Sequence, residues 1–352
     1  MCIGDLTQME KTVVSRTGLN SQTGIRLFVG FRGTDPEVEL KSIIREFHIG
    51  GIVLYSRNIE SREQLLELLT EAQAFARETM GRPLLVAIDQ EGGPVQRLVP
   101  PFTQLPSAGE LAEQGGEAVI EWSRKAALDL GQCGIQINFA PVLDVLPEGQ
   151  SHFMKERCLG SDPHRVAELG NLWIRTLQTN GVSATAKHYP GLGLAESDPH
   201  LFAPVIHWNK QGDMERALLP FGEAVKAGVH CVMTSHARYP SLDPEWPATL
   251  SPIVNTEWLR KKLDFQEVLF SDDLDMEAVS GHYSWEEIIR QGLQSTIDFF
   301  LLCQKPENIE PLYAALHNAL SAGSLISNLT RQSLLRIGRL FKRHGITVPI
   351  GE

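Results

Sequence analysis

Short apolar runs rich in β-branched and aromatic residues recur along nearly the whole chain, at 26–30, 51–55, 84–88, 135–139, 182–186, 229–234, 268–271 and 298–302. Each is almost continuous in apolar character, the pattern of a strand buried on both faces. Segments of helical period separate them. The clearest covers 61–77, where Ser61 and Gln64 have capping-box spacing and Leu65, Leu66, Leu68, Leu69, Ala72 and Phe75 line one broad face. Further helices are predicted at 36–47, 117–133, 163–180, 213–227, 284–296 and 306–321. The last apolar run, 298–302, is open to a helical reading as well as a strand one.

Eight strands alternating with helices make a parallel sheet, and their number suggests closure. The fold class is therefore read as α/β, a single (β/α)8 barrel of the TIM type. No GxGxxG follows the first run, so nothing recommends a dinucleotide fold. No repeat, low-complexity tract or long linker divides the 352 residues. The division is a loose N-terminal segment over 1–24 and one barrel domain over 25–345, with an amphipathic stretch at 334–341 packing on the barrel.

Composition narrows the function classes. Lysine plus arginine is 32 against 43 aspartate plus glutamate, a formal net charge of -11. So acidic a chain is a poor binder of nucleic acid, which needs a basic footprint. Cys2, Cys133, Cys158, Cys231 and Cys303 are scattered, odd in number and form no CxxC, which argues against a disulfide framework. No apolar run approaches the ~20 residues of a membrane span, and the first two dozen residues hold no signal-like apolar stretch. A soluble cytoplasmic protein is expected, with its oligomeric state left open.

In a barrel of this kind the chemistry gathers at the C-terminal ends of the strands. There the third run leads into Asp89, Gln90, Glu91 and Arg97. The fourth ends in Asn138 and leads to Asp144 and Arg157, and the fifth runs into Lys187 and His188, then Asp198 and His200. The sixth ends at Ser235 and His236, the seventh at Asp272 and Asp273. A single polar strand end is ordinarily a loop cap, and Asp198-Pro199-His200 alone reads as a turn. Five in succession point to a site, since gathering charge costs stability. Retaining glycoside hydrolysis needs a carboxylate nucleophile and a proton donor that later acts as base. Asp272 suits the first role. His200 suits the second if an anion such as Asp198 holds it protonated. Lys187, Arg97 and Arg157 would donate to sugar hydroxyls, and Asp89 would accept from them.

The chain resembles the glycoside hydrolase family 3 β-N-acetylglucosaminidases, in particular compact single-domain bacterial enzymes of cell-wall recycling. The resemblance rests on GGIVLYSRN (50–58), AIDQEGGPVQRL (87–98), FAPVLDV (139–145), KHYPGLG with the following SDPH (187–200) and FSDDLDM (270–276), in the family's order. It implies a (β/α)8 barrel without a required metal or cofactor. It also implies removal of β-1,4-linked N-acetylglucosamine from anhydro-muropeptides in the cytoplasm. Asp272 matches the family's nucleophile, His200 its histidine acid/base and Asp198 the partner of that histidine. Asp89, Arg97, Arg157, Lys187 and His188 match the residues that hold the sugar. Asp273 and Asp275 match no catalytic position and read as hydrogen-bonded strand ends. The chain departs from the family pattern at Leu192, usually His, at Pro199, usually Ser, and over 150–156. Pro199 fixes φ and removes a donor, so a stiffer catalytic loop is expected.

Other readings stay open on residues alone. His188, His236 and Asp272 could form a metal-dependent hydrolase centre, although 26–30 lacks the His-x-His such centres draw on. Lys187 could serve a Schiff-base lyase. A β-glucosidase-like hydrolase of the same family, or a sugar-binding relative without turnover, would also fit.

Overall fold

A computed structural model describes residues 18–149, 152–195, 204–322 and 327–348. Eight strands follow one another around a closed barrel, each parallel to its neighbours: β1 (Leu27–Val29), β2 (Gly51–Leu54), β3 (Leu85–Ile88), β4 (Ile137–Asn138), β5 (Ser183–Tyr189), β6 (Cys231–Thr234), β7 (Val268–Asp273) and β8 (Phe299–Leu302). All eight predicted runs are strands, including 298–302, where β8 closes the barrel on β1 by pairing Phe28 with Leu301. The connecting helices are α1 (Leu40–Phe47), α2 (Arg62–Met80), α3 (Gly116–Gln132), α4 (Pro163–Thr179), α5 (Asp213–Lys226), α6 (Ile253–Lys262), α7 (Trp285–Gln294) and α8 (Ile309–Ser321), followed by α9 (Ser327–Arg343).

The period-two pattern of each strand divides the apolar side chains into two cores. Leu27 and Val29 face the helices, whereas Phe28 between them points into the barrel; Leu269 and Phe270, then Phe300 and Leu301, divide in the same way. Inside, Phe270 meets Phe28 at 5.1 Å and Phe139 at 5.3 Å across non-adjacent strands, with edge-to-face geometry. Gly51 makes room for this layer, because a Cβ there would meet the Phe28 ring at 2.4 Å. The barrel is thus a packed core with an apolar floor.

Helix α9 closes the N-terminal end. Ile337, Leu340 and Phe341 join the interior core, so the stretch expected to pack on the barrel lies across its lower end. Buried charge pins it there. Arg336 grips Asp298 at 2.9 Å, Arg260 approaches the same carboxylate at 3.0 Å, and Arg26 reaches the Thr330 carbonyl at 2.9 Å.

Three expectations need correction. Residues 1–17 of the segment expected to be loose lie outside the described part, but Leu19–Gly24 is a helix whose last three residues are buried. Ser61 caps α2 by accepting from the Gln64 N–H, yet the Gln64 side chain accepts from Glu60 rather than closing a capping box on Ser61. Helix α6 has no counterpart in the prediction. It is π-helical, and its buried residues Val254, Asn255, Leu259 and Arg260 recur every five positions, two of them polar. A search for apolar residues at 3.6 spacing passes over such a segment.

Where α9 ends, the Ser183 hydroxyl lies 3.0 Å from His230 Nδ1 and 2.8 Å from His344 Nε2. Burial, with Arg343 close to both rings, pulls each imidazole down from 6.5 to about 4. The unfolded chain therefore binds protons near pH 6.5 that the folded chain refuses until about pH 4. Stability is fully present above the higher value and is lost as pH falls toward the lower. Thermal denaturation should show a falling midpoint below about pH 6.5, and His230→Gln combined with His344→Gln should flatten that slope.

Candidate active site

The inward parity of the strands carries on past their apolar residues. Above Leu85 and Ala87 comes Asp89, above Thr185 comes Lys187, and above Val268 and Phe270 comes Asp272. These side chains line one cavity of about 550 Å³ at the C-terminal end of the barrel, floored by Phe139, Met233 and Leu301. Arg97, Arg157 and His188 line it too, so six sequence-predicted residues meet in one place. Asp198 and His200 lie outside the described residues.

Two register irregularities fall at this end, between Ala186 and Tyr189 of β5 and between Phe270 and Asp273 of β7. Bulges of this kind re-aim side chains. Strand β5 runs three residues beyond its predicted end, which places Lys187 and His188 on the strand itself. On β7 the irregularity lets Asp272 and Asp273 line the same cavity although they are consecutive.

The centre of the site is a closed set of ion pairs. Lys187 Nζ lies 2.7 Å from Asp89 Oδ1 and 2.6 Å from Glu91 Oε1, and Arg157 meets both Glu91 oxygens at 2.8 and 2.9 Å. Arg97 reaches the other Asp89 oxygen at 3.5 Å, its guanidinium lying 5.3 Å from the Tyr55 ring centroid. Gln90 accepts from the Arg97 N–H and so fixes the turn that returns Arg97 to the cavity. Burial would raise the Glu91 pKa, but Lys187 and Arg157 pull it down to about 2. Burial would likewise lower the Lys187 ammonium, yet Asp89 and Glu91 outweigh it and hold it above the ordinary lysine value. A lysine so held is a hydrogen-bond donor and a poor amine nucleophile, which argues against the Schiff-base reading.

His188 is oriented from below. Its Nδ1 lies 2.8 Å from Asp144 Oδ2, which leaves Nε2 facing the cavity side, 3.5 Å from Arg157 Nη2. His236, considered above as a metal ligand with His188 and Asp272, sets Nδ1 2.8 Å from the Thr249 hydroxyl and donates from Nε2 to the Asp273 carbonyl at 3.0 Å. Among the described residues, no three His, Cys, Asp or Glu side chains are grouped to hold a metal ion.

Asp272 is partly exposed, with Oδ1 accepting the Asp273 N–H at 2.8 Å. Asp273 accepts from the Asp275 and Cys303 N–H groups, and Asp275 from those of Gln304 and Lys305. Both are therefore strand-end anchors that tie β7 to β8. Burial, with Asp275 adding to it, pushes the Asp273 carboxyl up to about 7.

Two residues of the site were placed at the strand ends from sequence but given no role there. Glu91 shares the parity of Asp89 and follows it by two, a signal that was available. Asp144 is fully buried, and a carboxylate within the apolar stretch 139–145 is itself a sign of a specific partner.

A family model described as the glycosyl hydrolase family 3 N-terminal domain matches residues 4–340. A beta-hexosaminidase of Nitrosomonas eutropha is 34% identical over 281 residues, 78% of this chain and 79% of that protein. One of Nitrosospira multiformis is 34% identical over 307 residues, 85% of this chain and 86% of that protein. Among solved structures, a glycoside hydrolase family 3 beta-N-acetylglucosaminidase from Paenibacillus sp. superposes with a TM-score of 0.88 at 32% identity. The match covers 93% of this chain and 63% of that longer one. A beta-N-acetylhexosaminidase from Beutenbergia cavernae gives a TM-score of 0.84 at 25% identity, covering 91% and 97%.

Glu91 offers a direct test of the ion-pair set. Glu91→Gln leaves the buried Lys187 sharing one carboxylate and strips the partly exposed Arg157 of its bidentate partner. Removing one member of a buried pair costs about 3–5 kcal/mol, and chemical denaturation should register a loss of that order. A change within about 0.5 kcal/mol, the range of ordinary surface substitutions, would mean that water already screens the cluster.

Proposed function

The chain belongs to glycosyl hydrolase family 3, and from that membership we propose that it is a retaining, exo-acting β-N-acetylglucosaminidase. Its substrate is a terminal β-1,4-linked N-acetylglucosamine on peptidoglycan fragments of the anhydro-muropeptide type, met in the cytoplasm. The observation that carries this reading is the cavity itself. A carboxylate, Asp272, stands at the top of an apolar-floored barrel among fixed donors and acceptors suited to the hydroxyls of one sugar ring.

In the first step an Asp272 oxygen attacks the anomeric carbon while the bond to the leaving oxygen breaks. The His200 imidazolium, held charged by Asp198, gives its proton to that oxygen. In the second step water attacks the same carbon, the Asp272 ester bond breaks, and the water proton passes to His200. Asp89 accepts from sugar hydroxyls, Lys187, Arg157 and Arg97 donate to them, and His188, whose Nε2 faces the Arg157 donor, helps hold the ring. Because the ion-pair set fixes these groups before the sugar enters, they need little rearrangement as charge develops at the anomeric carbon. The Asp273 N–H aims the Asp272 oxygen. The beta-hexosaminidase relatives and the family 3 beta-N-acetylglucosaminidase from Paenibacillus sp. support the acetamido sugar over a plain glucoside.

The test pairs p-nitrophenyl β-N-acetylglucosaminide with the matching β-glucoside. Wild type should release nitrophenol from the first and far less from the second. Asp272→Ala should remove that release by at least about a thousandfold, without lowering the melting temperature. Release from the glucoside alone would assign a β-glucosidase. Saturable binding without release from either would assign a sugar-binding relative.

A further inference from the structure

We propose that His236 is a positioning residue for the nucleophile: through Asp273 it fixes the bulge of β7 that carries Asp272. This rests on the reading of Asp272 given above.

The ladder between β6 and β7 pairs Cys231 with Val268, Val232 with Leu269 and Met233 with Phe270, and ends there. On its other edge β7 pairs Phe270 with Phe299 and then Asp273 with Leu301, so three steps on β7 answer two on β8. The extra residue lies between Phe270 and Asp273, and a bulge of that kind aims a side chain that a regular strand would turn elsewhere. It needs holding from both edges. From the β8 side the Leu301 N–H donates to Ser271 Oγ at 3.0 Å and the Cys303 N–H to Asp273 Oδ1 at 3.0 Å. From the β6 side, among the described residues, the hold is a side chain: His236 Nε2 donates to the Asp273 carbonyl at 3.0 Å.

The imidazole is itself locked. A carbonyl can only accept, so Nε2 carries the hydrogen, and Nδ1 lies 2.8 Å from the Thr249 hydroxyl. That hydroxyl stands 2.8 Å from the Thr234 hydroxyl at the end of β6 and 2.8 Å from the Ser235 carbonyl. All of these groups are buried, and His236 is absent from the described lining of the cavity. The ring therefore passes the position of β6 to Asp273 without itself lining the space for a sugar. Asp273 in turn gives its N–H to Asp272 Oδ1 at 2.8 Å. The Met276 N–H meets the same Asp273 carbonyl at 3.1 Å, so removing the imidazole leaves that acceptor satisfied. The cost should fall on the aim of Asp272 rather than on folding.

An attacking carboxylate must be placed whatever group leaves, whereas binding of the sugar ring does not depend on its aim. In His236→Met, kcat/KM for p-nitrophenyl and 2,4-dinitrophenyl β-N-acetylglucosaminide should fall by a similar factor, about tenfold or more, while competitive inhibition by N-acetylglucosamine stays within about twofold. His236→Gln, whose amide can still donate to the Asp273 carbonyl, should recover most of the loss. Thr249→Val, which frees the ring at Nδ1, should lose about threefold with the same split, and serves if the methionine variant does not fold. Inhibition by N-acetylglucosamine that weakens as much as kcat/KM falls would show a merely structural role and overturn the proposal. Full activity, a loss confined to the p-nitrophenyl glycoside, or a glutamine variant no better than methionine would overturn it too. Asp272→Ala, measured alongside, separates the two readings. If it still releases dinitrophenol at the wild-type rate, the nucleophile assignment fails, and the role of His236 with it. If it loses that release while His236→Met does not, only the role of His236 fails.

Discussion

The structure depends on keeping four charges paired. Lys187 and Glu91 are each 3% exposed, Asp89 15% and Arg157 21%, all above an apolar barrel floor. Withdrawing Lys187 and Glu91 from water costs several kcal/mol for each ion, repaid only if partners stand at hydrogen-bond distance and stay there. The barrel meets that condition because the carboxylates rise from β3 and the lysine from β5, strands whose positions the closed sheet sets. Arg157 is the exception, since it arrives on a loop. Its bidentate grip on Glu91 shows what that loop must be held against.

Site and scaffold therefore share one rule, strand parity. The same alternation that turns Phe28 and Phe270 into the barrel turns Asp89, Lys187 and Asp272 into the cavity one pleat higher. This is why the eight strands and most of the ionisable set could be read from sequence. Continuous apolar runs marked the strands, and polar residues at their ends marked the rim. The rule fails where the register breaks. Strand β5 appeared to stop at residue 186 because Lys187 and His188 are polar, yet both belong to the strand. Polarity there reflects the cavity they face, not an exit to solvent.

What could not be read is of a different physical kind. Residues whose work is to orient other residues leave little trace in a linear pattern. Asp144 acts 44 positions from His188, and Glu91 lies 96 positions before Lys187. Only the closed barrel brings each pair together. Helix α6 was invisible for a local reason, since a five-residue recurrence of mixed polarity matches neither the helical nor the strand template. The buried Asp298, which fastens α9 with two arginines, reads in sequence as the polar start of an apolar run.

The two ends of the barrel are held by comparable means toward opposite purposes. At the lower end buried charge seals the barrel with α9, and every acceptor of Asp298 is taken by the protein: Arg336, Arg260 and the Leu269 N–H. At the upper end the charges are paired as tightly but remain beside an open cavity, so lone pairs and N–H groups face a space a ligand can fill. On the proposed assignment the same end also divides its labour. Groups that must keep their distance from the anomeric carbon sit on strands or are clamped to them. The proton carrier, on that assignment His200, must serve the leaving oxygen first and the incoming water second.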